Sequence, residues 1–324
     1  MASPNATFTE LVTTTLRNHA KDVKDNISNN NALLKVLTAK KNVRYEDGGL
    51  TIVVNLDYAE NGTYQRFAGY DQLNIGASDV LTAAEFAWRQ IAISIVANGE
   101  DLRKNSGGNR IISLVKSRMK NAIRTFKNNF SSDLYSDGTL ANQINGLQAL
   151  VADAGTGTVG GINSSTYTFW KNIVQSAAAP LDGGGAVTVS ATTIEALMQY
   201  LWMSLVRGND VTNLIVADGV YFNYYETSQV SQKRYTSGDD SVSGGIVSLK
   251  YKNADVMYDG GSGIPASHMY FLNTDYIELV VHKDADLVEL PEARPINQDA
   301  AINILIWMGN LVISNRQQQG VMKA

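Results

Sequence analysis

The chain has 324 residues and a formal net charge of −4, with 44% of residues hydrophobic and 18% charged. That composition allows one large domain or two ordinary ones with a sizeable core, and it excludes global disorder or an overall pull toward nucleic acid. The absence of cysteine excludes disulfides, thiolate nucleophiles, iron–sulfur clusters and cysteine-ligated zinc.

The opening "MASPNATFTELV" lacks the basic and apolar regions of an export signal, so the sequons at Asn5, Asn26, Asn61 and Asn163 are expected to be chance matches. No apolar run approaches the roughly 18 residues of a membrane span. Thr7 and Glu10 form a capping box that opens an amphipathic helix. Its stripe of Phe8, Leu11, Val12, Leu16 and Val23 continues to Ile27, with His19 on it as a packed or partner-facing residue. "NISNNNALL" then breaks the helix. Such an element either folds back on its own domain or serves as an arm for a neighbour, and the pattern fits both.

The clearest local signal follows in "GGLTIVVNLDYAENGTYQRFAGY". Ile52, Val54, Leu56 and Tyr58 alternate with Thr51, Val53, Asn55 and Asp57, the period of a strand. Asn61-Gly62 is the favoured two-residue hairpin turn. That turn predicts Asp57 opposite Arg66 and Leu56 opposite Phe67, a charge pair and an apolar pair. A two-stranded hairpin is marginal alone in water, so this one is expected to lie on another surface. Gly48, Gly49 and Gly69 flank it as hinges.

Residues 82–99 read as a buried strand. The longest helix is predicted over about 109–135, with Ile112, Val115, Met119, Ala122, Ile123, Phe126 and Phe130 as its inner stripe. From Arg103 to Ser132 there are eight basic residues and no acid, so the rest of the chain, −4 less +8, carries −12. Such a helix face is either simply solvated or meets an acidic partner.

"GTGTVG" at 155–160 matches the dinucleotide fingerprint G-x-G-x-x-G, but helical spacing precedes it and a polar, β-branched stretch follows it. The fingerprint needs a strand before it and a helix after it, so these glycines are read as a turn. Downstream, Thr192 and Glu195 are expected to cap a helix ending near Gly208. "VTNLIVADG" is a short buried strand and "VYFNYYETSQVSQKRY" a helix, which marks an α/β layer over about 186–284. Residues 235–245 read as a polar loop. The chain closes with two β-rich runs about a Met308-Gly309-Asn310 turn. His19, His268 and His282 show no metal-type spacing, and G-x-S-x-G, H-E-x-x-H and a Walker loop are absent.

The order of arm, reaching hairpin, strand, long basic helix, α/β layer and terminal strands resembles the major capsid proteins of tailed bacteriophages, the Hong Kong 97 type. Four stretches carry the likeness: "YEDGGLTIVVNLDYAENGTYQRFAGYDQL" at 45–73, "LTAAEFAWRQ" at 81–90, "VGGINSSTYTFWKN" at 159–172 and "INQDAAINILIWMGNLVISNRQQQGVM" at 296–322. Gly160, Gly161, Ile162, Tyr167 and Trp170 match the family's glycine turn into a short aromatic stretch.

The resemblance implies an α+β fold with an N-terminal arm (1–45) and an extended β-hairpin loop (46–75). It also implies a peripheral domain (76–185 and 285–324, including a spine helix at 109–135) and an axial domain (186–284). It implies a non-enzymatic shell protein without cofactor, catalytic or metal site, forming hexamers and pentamers around double-stranded DNA. Its partners would be identical subunits, a scaffolding protein acting in trans, a portal protein at one vertex and a decoration or cement protein, with no membrane. The subunit would assemble in the bacterial host cytoplasm as a late protein and mature from a procapsid into the virion capsid.

Expected inter-subunit contacts are Asp57, Glu60, Tyr64, Arg66, Phe67 and Asp71 on the loop, facing Arg110, Lys116, Lys120, Arg124 and Lys127 on the helix. Residues 50–80 contain no lysine, so the isopeptide chemistry of some such shells has no loop donor here. The roughly 45 residues before the hairpin are too few for a fused scaffold, hence the expectation of one in trans. Two alternatives stand beside this reading: a nanocompartment shell protein of the same fold, and a nucleotide-dependent oxidoreductase built on GTGTVG.

Overall fold

A computed structural model describes residues 32–104, 114–233, 248–259, 263–291, 293 and 297–324. The N-terminal capping box and its helix, His19, Arg110 and the 235–245 loop lie outside the described residues. The chain runs through α1 (Ala32–Ala39), β1 (Val43–Glu46), β2 (Thr51–Asp57), β3 (Leu81–Ala87), β4 (Arg89–Asn98), α2 (Gly99–Lys104) and α3 (Leu114–Asp133). It continues through α4 (Leu147–Leu150), β5 (Thr158–Val159), β6 (Ile162–Asn163), β7 (Ile173–Ser176), α5 (Ile194–Leu205), β8 (Leu214–Ala217) and α6 (Gly219–Lys233). β9 (Ser248–Tyr251), β10 (Ala254–Tyr258), β11 (His268–Leu272), β12 (Ile277–His282), β13 (Val288–Glu289), β14 (Ala300–Ile313) and β15 (Gly320–Lys323) complete it. Among the described residues no helix is long and apolar enough to cross a membrane.

Two mixed sheets organise the molecule. One runs β7-β15-β11-β8-β10-β9; the other runs β1-β12-β14-β13, with β4 also paired to β14. The first sheet is buried on both faces, which explains why "LIVA" in β8 is unbroken rather than alternating. Leu214, Val216, Tyr270, Leu272 and Val321 point into a core shared with the second sheet. Their neighbours Ile215, Ala217, Met269, Phe271 and Met322 pack beneath α5 and α6. The period-2 alternation of strand side chains divides one run of residues between two cores.

From Met119 onward the long helix keeps its predicted inner stripe; Ile112 and the side chain of Val115 lie outside the described residues. Ala122, Phe126 and Phe130 are buried, and Phe126 stacks on Phe130 with ring centroids 5.4 Å apart. Phe130 meets the Trp307 ring edge-on at 4.8 Å, which fixes the helix on β14. Met119 and Ile123 pack with Ile95 of β4 and Leu305.

Four local expectations are corrected. First, β2 does not fold back at Asn61-Gly62; it pairs with β3, so that Leu56 faces Thr82 and Asp57 faces Leu81. The segment after Gly62 offers no alternating face, whereas Ala84 and Phe86 share one with Ile52. Asn61 still bends the chain, but its Oδ1 does so by accepting from the Thr63 amide at 3.0 Å. Second, residues 82–99 are two strands in different sheets, broken at Trp88, whose indole donates to the Gly49 carbonyl at 3.0 Å. Third, Met308-Gly309-Asn310 is not a turn, since β14 runs straight through it for 14 residues. A Cβ on Gly309 would lie 2.4 Å from the Val280 carbonyl, so the glycine serves close strand contact. Buried Asn310 accepts from the Asn145 amide and donates to the Ala87 carbonyl, both at 2.8 Å. Fourth, α5 starts after Thr193, which makes no side-chain cap bond, and Glu195 accepts from Gln229 of α6 instead of closing a capping box.

Arg316, fully buried in the link between β14 and β15, is the polar centre of the shared core. It donates to the Leu150 carbonyl at 2.7 Å, the Trp170 carbonyl at 2.8 Å and Asn172 Oδ1 at 3.0 Å. Burial pulls its pKa down to about 10, yet it remains charged at neutral pH, held by neutral acceptors. Arg316→Met would leave three buried acceptors without a donor. The expected cost is about 3 kcal/mol in chemical denaturation of the unassembled subunit, and an unchanged midpoint would contradict the staple.

Candidate subunit interface

The β2–β3 ribbon is two-faced. Ile52, Leu56, Ala84 and Phe86 are buried and join the shared core, whereas Val53, Asn55, Asp57, Leu81 and Glu85 stand exposed. The ribbon therefore does not lie wholly outside its own body: its base is part of the fold, and what projects is the loop 58–80. Gly48 and Gly49, with φ of +131° and +113°, feed the chain into β2 through backbone that other residues avoid.

Side-chain amides lace this loop in place of a strand ladder. Gln65 donates to the Gln72 carbonyl at 2.9 Å and accepts from the Asn74 amide at 3.0 Å. Asn74 reaches the Gly62 carbonyl at 3.3 Å, and Gly62 donates to Ser78 at 3.3 Å. At the tip, the Ala68 amide donates to Asp71 at 2.9 Å. The apolar side chains find no such partners: Tyr64 is 82% exposed, Phe67 64%, Ile75 92% and Tyr70 wholly so. Leu73 is exposed beside them.

The structure distributes the sequence-predicted contact residues as follows. Asp57, Glu60, Tyr64, Arg66, Phe67 and Asp71 all lie exposed on the ribbon or its loop. On α3, Lys120 and Lys127 are exposed and Arg124 is half-buried, while Lys116 has no described side chain. Half-buried Arg118 donates to the Val96 carbonyl at 2.7 Å. Tyr70, Leu73 and Ile75, outside the sequence-predicted set, are exposed on the same loop. Their signal was available: apolar residues in a stretch with neither strand nor helix period.

The glycine segment sits against the neck of the ribbon. Gly160 and Gly161, with φ of +57° and +78°, turn the β5–β6 hairpin. The Gly160 carbonyl accepts from the Glu85 amide at 3.0 Å, and Trp170 donates to the Val159 carbonyl at 2.9 Å. A Cβ on Gly160 would lie 2.8 Å from that of Ala84. These glycines let two backbones touch; no helix of the kind the fingerprint requires follows them. Nearby, His268 bonds Asp153 at 3.0 Å, and His282 meets Trp88 edge-on.

No family model and no curated protein matches the sequence. Solved structures do match, and over almost the whole chain. The capsid asymmetric unit of cyanophage A-1(L) superposes with a TM-score of 0.67 at 17% identity, covering 98% of this chain and 99% of that one. This is the Hong Kong 97-type capsid fold. Mycobacterium phage Bobi shares the capsid fold at a TM-score of 0.59 and 8% identity, covering 97% of each chain. So does the holo-SrpI encapsulin complex from Synechococcus elongatus PCC 7942, at 0.56 and 7% identity, over 93% of this chain and 91% of that one.

Gly160→Val would place a branched side chain at a left-handed position against Ala84 and Phe86. A loss of about 2 kcal/mol in denaturation of the unassembled subunit is expected, and wild-type stability would contradict the close contact.

Proposed function

We propose that this protein is a phage major capsid subunit that assembles with identical copies into an icosahedral shell enclosing double-stranded DNA. The observation that carries the proposal is the loop 58–80, on which Tyr64, Phe67, Tyr70, Leu73 and Ile75 stand exposed among the described residues. Buried against a neighbour, each would contribute about 1.5–3 kcal/mol, a strong drive to associate. A surface of this kind meeting a different surface on the next copy generates rings and shells rather than pairs.

In this reading residues 1–45 are the arm, the β2–β3 ribbon with its loop (through residue 87, in place of the expected 46–75) the extended loop, the rest up to 185 with 285–324 the peripheral domain and 186–284 the axial domain. Hexamers and pentamers are the expected rings. The acids Asp57, Glu60 and Asp71 would face Lys116, Lys120, Arg124 and Lys127 of an adjacent spine helix, with Arg110 beyond them. A scaffolding protein in trans, a portal at one vertex and a decoration protein are the other partners expected, with assembly in the host cytoplasm. No catalytic step is assigned to the chain.

The encapsulin likeness supports a second reading, a compartment shell around cargo enzymes instead of a genome. Genes beside this one distinguish the two: terminase, portal and tail genes in one case, a cargo enzyme in the other.

Electron microscopy of the expressed chain, with and without a scaffold, is expected to show closed particles; a stable monomer at high concentration would refute the shell. The double change Lys120→Glu and Lys127→Glu is expected to lower particle yield several-fold, and wild-type yield would dismiss the acid–base pairing. Because residues 50–80 lack lysine and the chain lacks cysteine, subunits of denatured mature particles should migrate as single chains. Covalent multimers would contradict a non-covalent shell.

A further inference from the structure

A groove of about 510 Å³ lies at the neck of the ribbon, where the loop leaves the body. Three aromatic rings form part of its wall. Tyr58 and Phe169 lie 5.6 Å apart, and Tyr167 meets Phe169 edge-on at 6.3 Å. Asp79 and Glu85 bring two carboxylates to the same groove, and none of its lining residues is basic. The walls are held in place, because the Glu85 amide is bonded to the Gly160 carbonyl at 3.0 Å. Aromatic faces beside carboxylates suit a flat, delocalised cation: the faces attract its charge and the carboxylates accept its hydrogen bonds.

A matching cation exists in the chain. Arg66 is the single basic residue between Leu50 and Val80. It is exposed, it sits between exposed Tyr64 and Phe67, and it lies at the tip between the Gln65 clasp and the Ala68–Asp71 turn. The lacing of Gly62, Gln65, Asn74 and Ser78 sets that tip at the opposite end of the loop from its own groove.

We propose that Arg66 of one copy enters the neck groove of a second copy. Its guanidinium lies among Tyr58, Tyr167 and Phe169 and pairs with Glu85 and Asp79. This rests on the shell reading and names the receptor of the loop tip. The contact is head-to-tail, since tip and groove are different surfaces, so each copy gives one and receives one.

Charge exchange in assembling protein tests it. Arg66→Glu is expected to lower particle yield about tenfold, and adding Glu85→Arg to the same chain is expected to restore most of it. Both positions are exposed, so the fold of each variant can be verified by circular dichroism. Wild-type yield from Arg66→Glu, or no recovery on exchange, overturns the groove assignment and leaves the shell reading standing. A wild-type chain that forms no particles removes both. The native chain has no cysteine, so Arg66→Cys with Glu85→Cys in one chain supplies an independent measurement. A short bifunctional thiol reagent is expected to join these subunits into a ladder of many chains, whereas dimers or monomers alone contradict a head-to-tail contact.

Discussion

One ribbon, buried at its base and bare at its tip, governs this molecule. Ile52, Leu56, Ala84 and Phe86 enter the shared core, so the base cannot move without opening the body. The loop beyond it is ordered by side-chain amides and carries its apolar residues outward. Amide lacing satisfies polar groups but removes no hydrocarbon from water, so it gives the loop a shape without the burial its side chains could gain. Shape without burial is what a docking element needs: the cost of ordering is met before the partner arrives.

The rest of the fold braces that neck. β14 runs unbroken beside the long helix, and Asn310 near its C-terminal end ties the end of β3 to the 145 segment. Trp307 on the same strand receives Phe126 and Phe130. Arg316, just past the strand, gathers two further segments, at Leu150 and at Trp170–Asn172, onto one guanidinium. Glycines at 160 and 309 serve the same end by letting backbones approach where a Cβ would collide. The polar side chains Asn310 and Arg316 thus join chain segments more than 140 residues apart, a specificity that apolar packing alone gives poorly.

Much of this was legible along the chain. The inner stripe of the long helix, the apolar run of β8 and the alternation of β2 each follow a period that local sequence displays. So does the turn at Gly160-Gly161, because a polar, β-branched continuation rules out the helix a phosphate site would need. The exposed apolar residues of the loop were legible only in part. Tyr64 and Phe67 stood out within an assumed strand pair, while Leu73 and Ile75 gained meaning once that pairing was seen to be wrong.

Sequence alone determined the periods, the missing thiol and the loop without lysine, since these are properties of single residues and their near neighbours. Tertiary structure decided which strand β2 would choose, that 300–313 is one strand, and where Arg316 and Asn310 spend their hydrogen bonds. Strand pairing depends on which distant segment presents a matching face, and a turn dipeptide such as Asn61-Gly62 cannot close a hairpin whose second arm has no such face. A local signal lost there to a remote apolar match, because burying Phe86 against Ile52 outweighs a favourable turn.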